Sequence, residues 1–374
     1  MIERERKFTT PARQAKEAIG TLPAIEIQQR YLSQPTSKSE VRIRRAAHGG
    51  NGKETEYFTT LKQGFGIERL EIETPLTEQA WHKLGTHACA ILRKNRYYLD
   101  PSNGISIDCL TDEKDLYVIE AEQQQDGIDI DQFRPDDYRI ISTTEVTNNT
   151  AMRSRNLAKE TEPAHKEIEF TPVQKVVQNI KRLLGTSTQP IIVTVSGPSA
   201  SGKSSAALDQ LTEQLPNICD VVSTDDYYIG KTRMHKEMPP EEKGNFDHPS
   251  AIDIEPLVKT IQTLRSGYQV ESPIYDMKIS EPTTETKIIN PRPVIIIEGL
   301  AANQTKLRTL SDVSVSVYAP IENRLERRLS RDAIRKGHSS EDILSYYMNV
   351  AEPAYIEHYQ NDDLSSVDYI INNS

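Results

Sequence analysis

Sulfur is scarce in this chain, which has 374 residues and only three cysteines, Cys89, Cys109 and Cys219. An odd number at unrelated spacings offers no disulfide framework, and no Cys/His cluster has zinc spacing. Reduced thiols in a cytoplasmic protein are the expectation. Aromatic residues make up 6% and there is one tryptophan, Trp81. No apolar run approaches the roughly 20 residues that a membrane helix needs, so no membrane partner is expected. The opening Met1-Ile-Glu-Arg-Glu-Arg-Lys7 lacks the apolar stretch of a secretory signal. Positive charge is not in surplus: 45 Lys and Arg stand against 55 Asp and Glu, a net charge of -10. That balance argues against general nucleic-acid or anionic-membrane binding. No internal repeat, low-complexity tract or Ser/His or Cys/His nucleophile arrangement is evident.

What the chain does have is a phosphate-wrapping loop. The β-branched run Ile191-Ile-Val-Thr-Val-Ser196 breaks into Gly197-Pro-Ser-Ala-Ser-Gly202-Lys203-Ser204, followed by the helix-forming Ser205-Ala-Ala-Leu-Asp-Gln-Leu211. Glycines let backbone N–H groups of Gly197, Ser199, Ala200, Ser201, Gly202 and Ser205 turn toward phosphate, and the following helix offers its positive N-terminus. Lys203 reaches the β- and γ-phosphates, and the Ser204 hydroxyl holds Mg²⁺. A nucleoside triphosphate, ATP, is the expected ligand.

The composition changes near residue 160. Before it, short alternating runs separated by Gly, Asn, Pro and Asp predict antiparallel β structure. After Pro190, apolar runs alternate with helical patterns and predict an α/β parallel sheet. The expected division is residues 1–160, a polar linker and connecting helix over 161–189, and residues 190–374. The length is enough for two domains with cores. In the connecting helix Thr171 is expected to cap, Pro172 to take the first position and Gly185 to end it. Val173, Val176, Val177, Ile180, Leu183 and Leu184 form its apolar stripe.

In the first half, charges recur at every second position. Glu3, Glu5 and Lys7 share one strand face, and so do Arg42 and Arg44, Thr60 and Lys62, Arg69 with Glu71 and Glu73, Lys94 and Arg96, and Glu120 and Glu122. Asp108 alternates with Ile107 and Cys109. The opposite faces are apolar at Val41, Ile43, Leu70, Ile72, Ile119 and Ala121. Any one such strand could simply turn its polar side to water. Taken together, the strands predict a closed antiparallel barrel with charges inside and helices covering the outside. Both signs of charge buried together are costly without a ligand role. A solvated tunnel for a triphosphate resolves this: bases hold the polyanion, acids hold divalent cations through oxygen.

The ordered set Glu3-Arg-Glu-Arg-Lys7, Val41-Arg-Ile-Arg44, Thr59-Thr-Leu-Lys62, Arg69-Leu-Glu-Ile-Glu73, Arg93-Lys-Asn-Arg96, Ile107-Asp108, Ile119-Glu-Ala-Glu122 and Glu145-Val-Thr147 resembles the CYTH domains, the triphosphate tunnel metalloenzymes. The resemblance covers roughly residues 1–160. It implies that Glu3, Glu5, Glu71, Glu73, Asp108, Glu120 and Glu122 bind metal, Mg²⁺ or Mn²⁺, or lie near it. It implies that Lys7, Arg42, Arg44, Lys62, Lys94 and Arg96 grip phosphates. Family members hydrolyse inorganic or organic triphosphates, and some are adenylate cyclases.

In the second half, the runs Ile218-Cys-Asp-Val-Val-Ser-Thr-Asp-Asp226 and Pro293-Val-Ile-Ile-Ile-Glu298-Gly299 read as buried strands ending in acids. Strand C-termini face the site in an open α/β sheet. Asp225 is then placed to take a proton from an acceptor hydroxyl, and Glu298 to hold Mg²⁺ through water or to cap a helix. Arg324, Arg328, Arg331 and Arg335 share one helical face and read as a lid over transferring phosphate.

This half resembles the uridine kinase and phosphoribulokinase family through the phosphate loop, Asp225-Asp-Tyr-Tyr228, Asn245-Phe-Asp-His-Pro249, Ser272-Pro-Ile-Tyr-Asp276, Ile297-Glu-Gly299 and Arg327-Arg-Leu-Ser-Arg-Asp332. The resemblance implies Asp225 as base with Lys203, Arg328 and Arg331 in catalysis, and Tyr228, Asp247, His248 and Tyr275 around the acceptor. The chain departs from the family pattern at Ser280, where a base-contacting histidine is usual, at Lys336-Gly337-His338 for Arg-Gly-Arg, and at Tyr346 for a glutamine. The expected whole is a two-domain phosphate-transfer enzyme: a metal-dependent triphosphatase tunnel followed by an α/β P-loop kinase using ATP. Its partners are nucleotide and polyphosphate small molecules, and a homo-oligomer is left open. The alternatives are a pyrophosphatase or NTPase in the second half, a nucleotide sensor there that controls the tunnel, and an adenylate cyclase in the tunnel.

Overall fold

Alternation of apolar and charged residues shapes the first half of the chain into eight strands. They are β1 (Ile2–Thr10), β2 (Ile25–Tyr31), β3 (Ser39–His48), β4 (Glu54–Gln63), β5 (Glu68–Pro75), β6 (Ala90–Asp100), β7 (Ile105–Leu110) and β8 (Tyr117–Glu122). The computed structural model describes residues 2–49, 54–64, 67–113, 115–125, 127–161 and 168–374, the side chains of 241, 335 and 336 excepted. The chain divides into two compact units, Met1–Ala164 with Ser339–Met348, and His165–His338 with Asn349–Ser374.

In the first unit the strands pair antiparallel in the order β6-β2-β3-β4-β5-β1-β8-β7, and β7 pairs again with β6. The ring is closed, as the alternating pattern predicts. Two short strands extend it: β9 (Thr144–Glu145) pairs β1 and β10 (Lys159–Glu160) pairs β6. Phe8, Ile107, Ile119 and Ala121 pack outward against Ala15 of the helix Ala12–Ile19 and against Phe133 and Ile140 of the later turns. Leu70 departs from this pattern. It lies opposite Ile2 at the strand ends, and both are exposed while Ile72 is buried.

In the second unit, β11 (Ile191–Ser196), β12 (Cys219–Ser223), β15 (Val294–Glu298), β16 (Val313–Tyr318) and β17 (Tyr369–Asn372) form a parallel sheet in the order β12-β15-β11-β16-β17. A separate hairpin joins β13 (Val270–Asp276) and β14 (Glu281–Ile289). The sheet is covered on both faces, which is why its strands are continuous apolar runs. Val193, Val195 and Ile296 meet Val173, Val176, Val177 and Ile180 of the helix Val173–Leu184. Ile192, Ile295 and Ile297 meet Leu257, Ile261 and Leu264 of the helix Ile254–Arg265.

Two local expectations are corrected. Thr171 does not cap the connecting helix: Pro172 holds the cap position, and the Thr171 N–H is used by Ile370 O of β17 at 2.7 Å. Lys159 and Glu160 pair with β6 as part of the barrel sheet; of the linker, residues 162–167 lie outside the described residues. The turn after the phosphate loop, Ser204–Leu208, is wound as a π-helix before the α-helix Asp209–Gln214 begins.

Candidate active sites

The barrel encloses a cavity of about 900 Å³. Cross-strand register decides which charges meet on its wall, because residues directly opposite share a face. Lys7 faces Glu120, Glu3 faces Arg69, Lys62 faces Glu71 and Arg96 faces Asp108. The ion pairs follow. Lys7 meets Glu120 at 2.7 Å and Glu5 at 3.2 Å; Lys62 meets Glu3 at 2.7 Å and Glu71 at 2.9 Å. Arg44 meets Glu73 at 2.7 Å, and Arg42 meets Glu71 at 3.7 Å. Arg96 bridges Asp108 and Glu120, and Lys94 meets Asp108 closely and Glu120 at 3.8 Å. Burial works against the charge on Lys7, but Glu120 and Glu5 outweigh it and raise its pKa. Burial likewise opposes ionisation of Glu120, yet Lys7, Lys94 and Arg96 hold it well below the usual range.

One facing pair has the same sign: Glu5 lies opposite Glu122. Among the described residues Glu122 forms no ion pair, and burial together with Glu3, Glu5 and Glu71 raises its carboxyl to about 7. Like charges directly opposite destabilise a sheet, so this end of the cavity suits a divalent cation bound by carboxylate oxygen. No three acids among the described residues already stand in a metal-binding cluster. The sequence candidates do not all reach the wall. Asp108 is 1% exposed and sits behind Lys94 and Arg96, outside the lining set. Other wall residues had no assigned role. Arg69, on the predicted inner face, contacts Glu3 at 3.1 Å and Glu5. Glu40, two residues before Arg42, was legible from the same alternation. Gln29 and Arg153 were not: one is neutral, and the other lies in turns without periodicity.

In the second unit the phosphate loop leaves β11 with Gly197 at φ 140° and Gly202 at φ 87°. A Cβ at Gly197 would collide with Val317 O, and one at Gly202 with the Asn373 amide. The Lys203 ammonium donates to Gly197 O at 2.9 Å and Pro198 O at 3.3 Å. Burial lowers its pKa, against Asp225, Glu298 and Asp363. At the ends of β12 and β15, Ser223 lies opposite Glu298 and its hydroxyl donates to Glu298 Oε1 at 2.6 Å. The same Ser223 oxygen accepts from Asp225 N–H at 3.3 Å. Burial, then Glu298, raises the Asp225 carboxyl to about 6 despite Lys203. Lys203, Asp225 and Glu298 therefore share one electrostatic site. Asp225 and Glu298 lie near Lys203, the residue before Ser204, and their oxygens with the Ser204 hydroxyl are the donor types that suit a magnesium ion.

The helix Ile321–Lys336 carries the predicted lid arginines, and they divide. Arg328 and Arg331 both bond Asp332, at 3.2 Å and 2.7 Å. Arg324 is no lid residue: it is 6% exposed and forms a bidentate pair with the equally buried Glu352. The side chain of Arg335 lies outside those described. Arg327, quoted in the motif without a role, donates to Ser201 O at 3.1 Å and to Asn373 O at 2.8 Å.

Around the expected acceptor side, the Tyr228 ring meets Tyr275 at 5.4 Å and Phe246 at 5.8 Å. Burial pushes the Tyr275 phenol up to about 12. Asp247 adds to the field that raises Asp225. His248 Nδ1 accepts from Ser250 N–H at 3.1 Å, and its ring packs on His358 at 4.8 Å. Ser280 lies in the turn between β13 and β14, at φ 58°.

A phosphate loop on a parallel sheet with acids at neighbouring strand ends defines a P-loop kinase fold. Residues 192–374 match the Phosphoribulokinase / Uridine kinase family. A uridine kinase of Clostridium tetani is 33% identical over 172 residues, 46% of this chain and 81% of that protein. The chain belongs to the phosphoribulokinase and uridine kinase family. A chloroplastic uridine/cytidine kinase of Arabidopsis thaliana is 32% identical over 197 residues, 49% of this chain and 40% of that protein. Among solved structures, an inorganic triphosphatase overlays 42% of this chain and 93% of its own, with 25% identity and a TM-score of 0.28. That overlay assigns no activity to this chain. No helix among the described residues is long and apolar enough to cross a membrane.

Proposed function

We propose that the chain carries two phosphate-transfer sites: a metal-dependent triphosphatase of the CYTH type in the barrel, and a kinase that moves the γ-phosphoryl of ATP to the hydroxyl of a small acceptor. The observation that carries this reading is common to both units. In each unit carboxylates and cations share one site: Glu3, Glu5 and Glu71 with Lys7, Lys62 and Arg69 in the barrel, and Asp225 and Glu298 with Lys203 of the phosphate loop.

In the kinase site, Asp225 accepts the proton of the acceptor hydroxyl as its oxygen bonds to the γ-phosphorus and the bond to the leaving ADP breaks. A base with a pKa of about 6 is ionised at neutral pH and stronger than an ordinary aspartate. Lys203, Arg328 and Arg331 neutralise the transferring group. Ser204 and Glu298 would hold Mg²⁺, which screens phosphate charge when bound. Tyr228, Asp247 and Tyr275 bound the acceptor side, with His248 as the cap of the turn beside them.

In the tunnel, Glu3, Glu5, Glu71 and Glu122 would hold the metal, Mg²⁺ or Mn²⁺, which supplies charge neutralisation and an acidified water. Lys7, Arg42, Arg44, Lys62, Lys94 and Arg96 orient the polyphosphate, joined by Arg69. Asp108 and Glu120 position Lys94 and Arg96 rather than touching metal, and Glu73 does so for Arg44.

Phosphorus NMR of the full chain with Mg²⁺, offered tripolyphosphate, then ATP, then ATP with nucleosides, tests both sites. Glu5→Gln is expected to abolish tripolyphosphate cleavage alone. Lys203→Ala is expected to lower nucleoside monophosphate formation about 10²–10³-fold, the scale of losing one charge-stabilising group. Release of phosphate from ATP without an acceptor, lost in Lys203→Ala, would make the second site an NTPase, and pyrophosphate with cyclic AMP would make the first a cyclase.

A further inference from the structure

We propose that the nucleobase of the triphosphate held by the phosphate loop lies in a second cavity, against the ring of Phe170. The cavity measures about 570 Å³, and its wall includes Phe170, Ser205, Gln210, Asn372 and Asn373. It begins at Ser205, the residue after Ser204, so it adjoins the place where the phosphates are gripped. This inference rests on the reading of residues 197–204 as an ATP site.

Phe170 is 40% exposed, unusual for a large aromatic ring. Its ring is backed by Tyr318, with centroids 5.5 Å apart and planes tilted by 37°. Its neighbour Thr171 is fastened to β17 by the N–H bond to Ile370 O at 2.7 Å. The result is a fixed aromatic shelf with an open side, and any nucleobase offers a π-face to such a shelf. Gln210 and Asn372 add amides, each with donors and an acceptor suited to base edges.

The shelf and the loop are joined. Asn373 N–H donates to Tyr318 O at 2.9 Å, and its side-chain amide donates to Ser201 O at 2.7 Å. Arg327 binds both Ser201 O and Asn373 O. One network thus ties the aromatic support, the cavity wall and the crest of the phosphate loop together. Phe170 precedes the region matched by the family, residues 192–374. The stacking face is therefore supplied by the segment that leads into the kinase sheet, and the amides by residues within the matched region.

Photolabelling of the full chain by ATP carrying an azide on its purine, followed by peptide mapping, tests the placement. Label is expected on peptides containing Phe170 or Asn372–Asn373, and it should disappear in Lys203→Ala. Phe170→Ala should reduce that labelling about tenfold, the scale of one lost base–aromatic stack, and Phe170→Trp should restore it. Lys203-dependent label elsewhere in the second unit would overturn the base pocket and leave the ATP site standing. Label in the second unit that is indifferent to Lys203 would overturn both.

Discussion

Asp363 is 1% exposed and accepts a hydrogen bond from Ser196, the residue before the phosphate loop. Burial raises its carboxyl from 3.8 to about 7. Between those values the folded chain keeps a proton that the unfolded chain has released, so stability falls as pH rises through 7. Asp363→Asn mimics the protonated form at every pH. The melting temperature of this variant, relative to the unsubstituted chain, should therefore climb from pH 5 to pH 8; a difference that stays constant would refute the assignment. Asp225, raised to about 6, gives the kinase rate an acid limb near that pH. A rate profile with no limb there would remove Asp225 as the base.

At the scale of elements, the helix Ile321–Lys336 shows what periodicity does and does not carry. A spacing of four and three placed Arg324, Arg328 and Arg331 on one face, and two of them do converge on Asp332. The spacing could not tell that the first turn is buried against Glu352. Arg324→Met should cost about 3–5 kcal/mol in denaturant melts, because Glu352 keeps an uncompensated buried charge. Replacing both residues with apolar ones should cost less. Strand alternation was more informative, since period two fixes the face outright. It marks the charged inner wall from Glu3 to Glu122. It could not give depth: Asp108 is on the right face, yet Lys94 and Arg96 cover it. Asn373 and Arg153 had no legible signal, for both lie where the chain has no repeating period.

For the whole molecule, the two sheets differ in how they end. The barrel ring has no free edge, whereas β12 and β17 bound the parallel sheet. Native-state hydrogen exchange should find β1–β8 opening as one protected unit and the edge strands of the second sheet exchanging earlier. Early exchange confined to one barrel strand would contradict closure. The bond from Asn373 to Ser201 has a different consequence. It spans 172 positions of the chain. A ribosome adding about 5–20 residues per second needs about 10–30 s to cover that distance. A newborn phosphate loop waits that long for the residue that fastens it, and the nascent chain passes through the interval with its nucleotide grip unfinished.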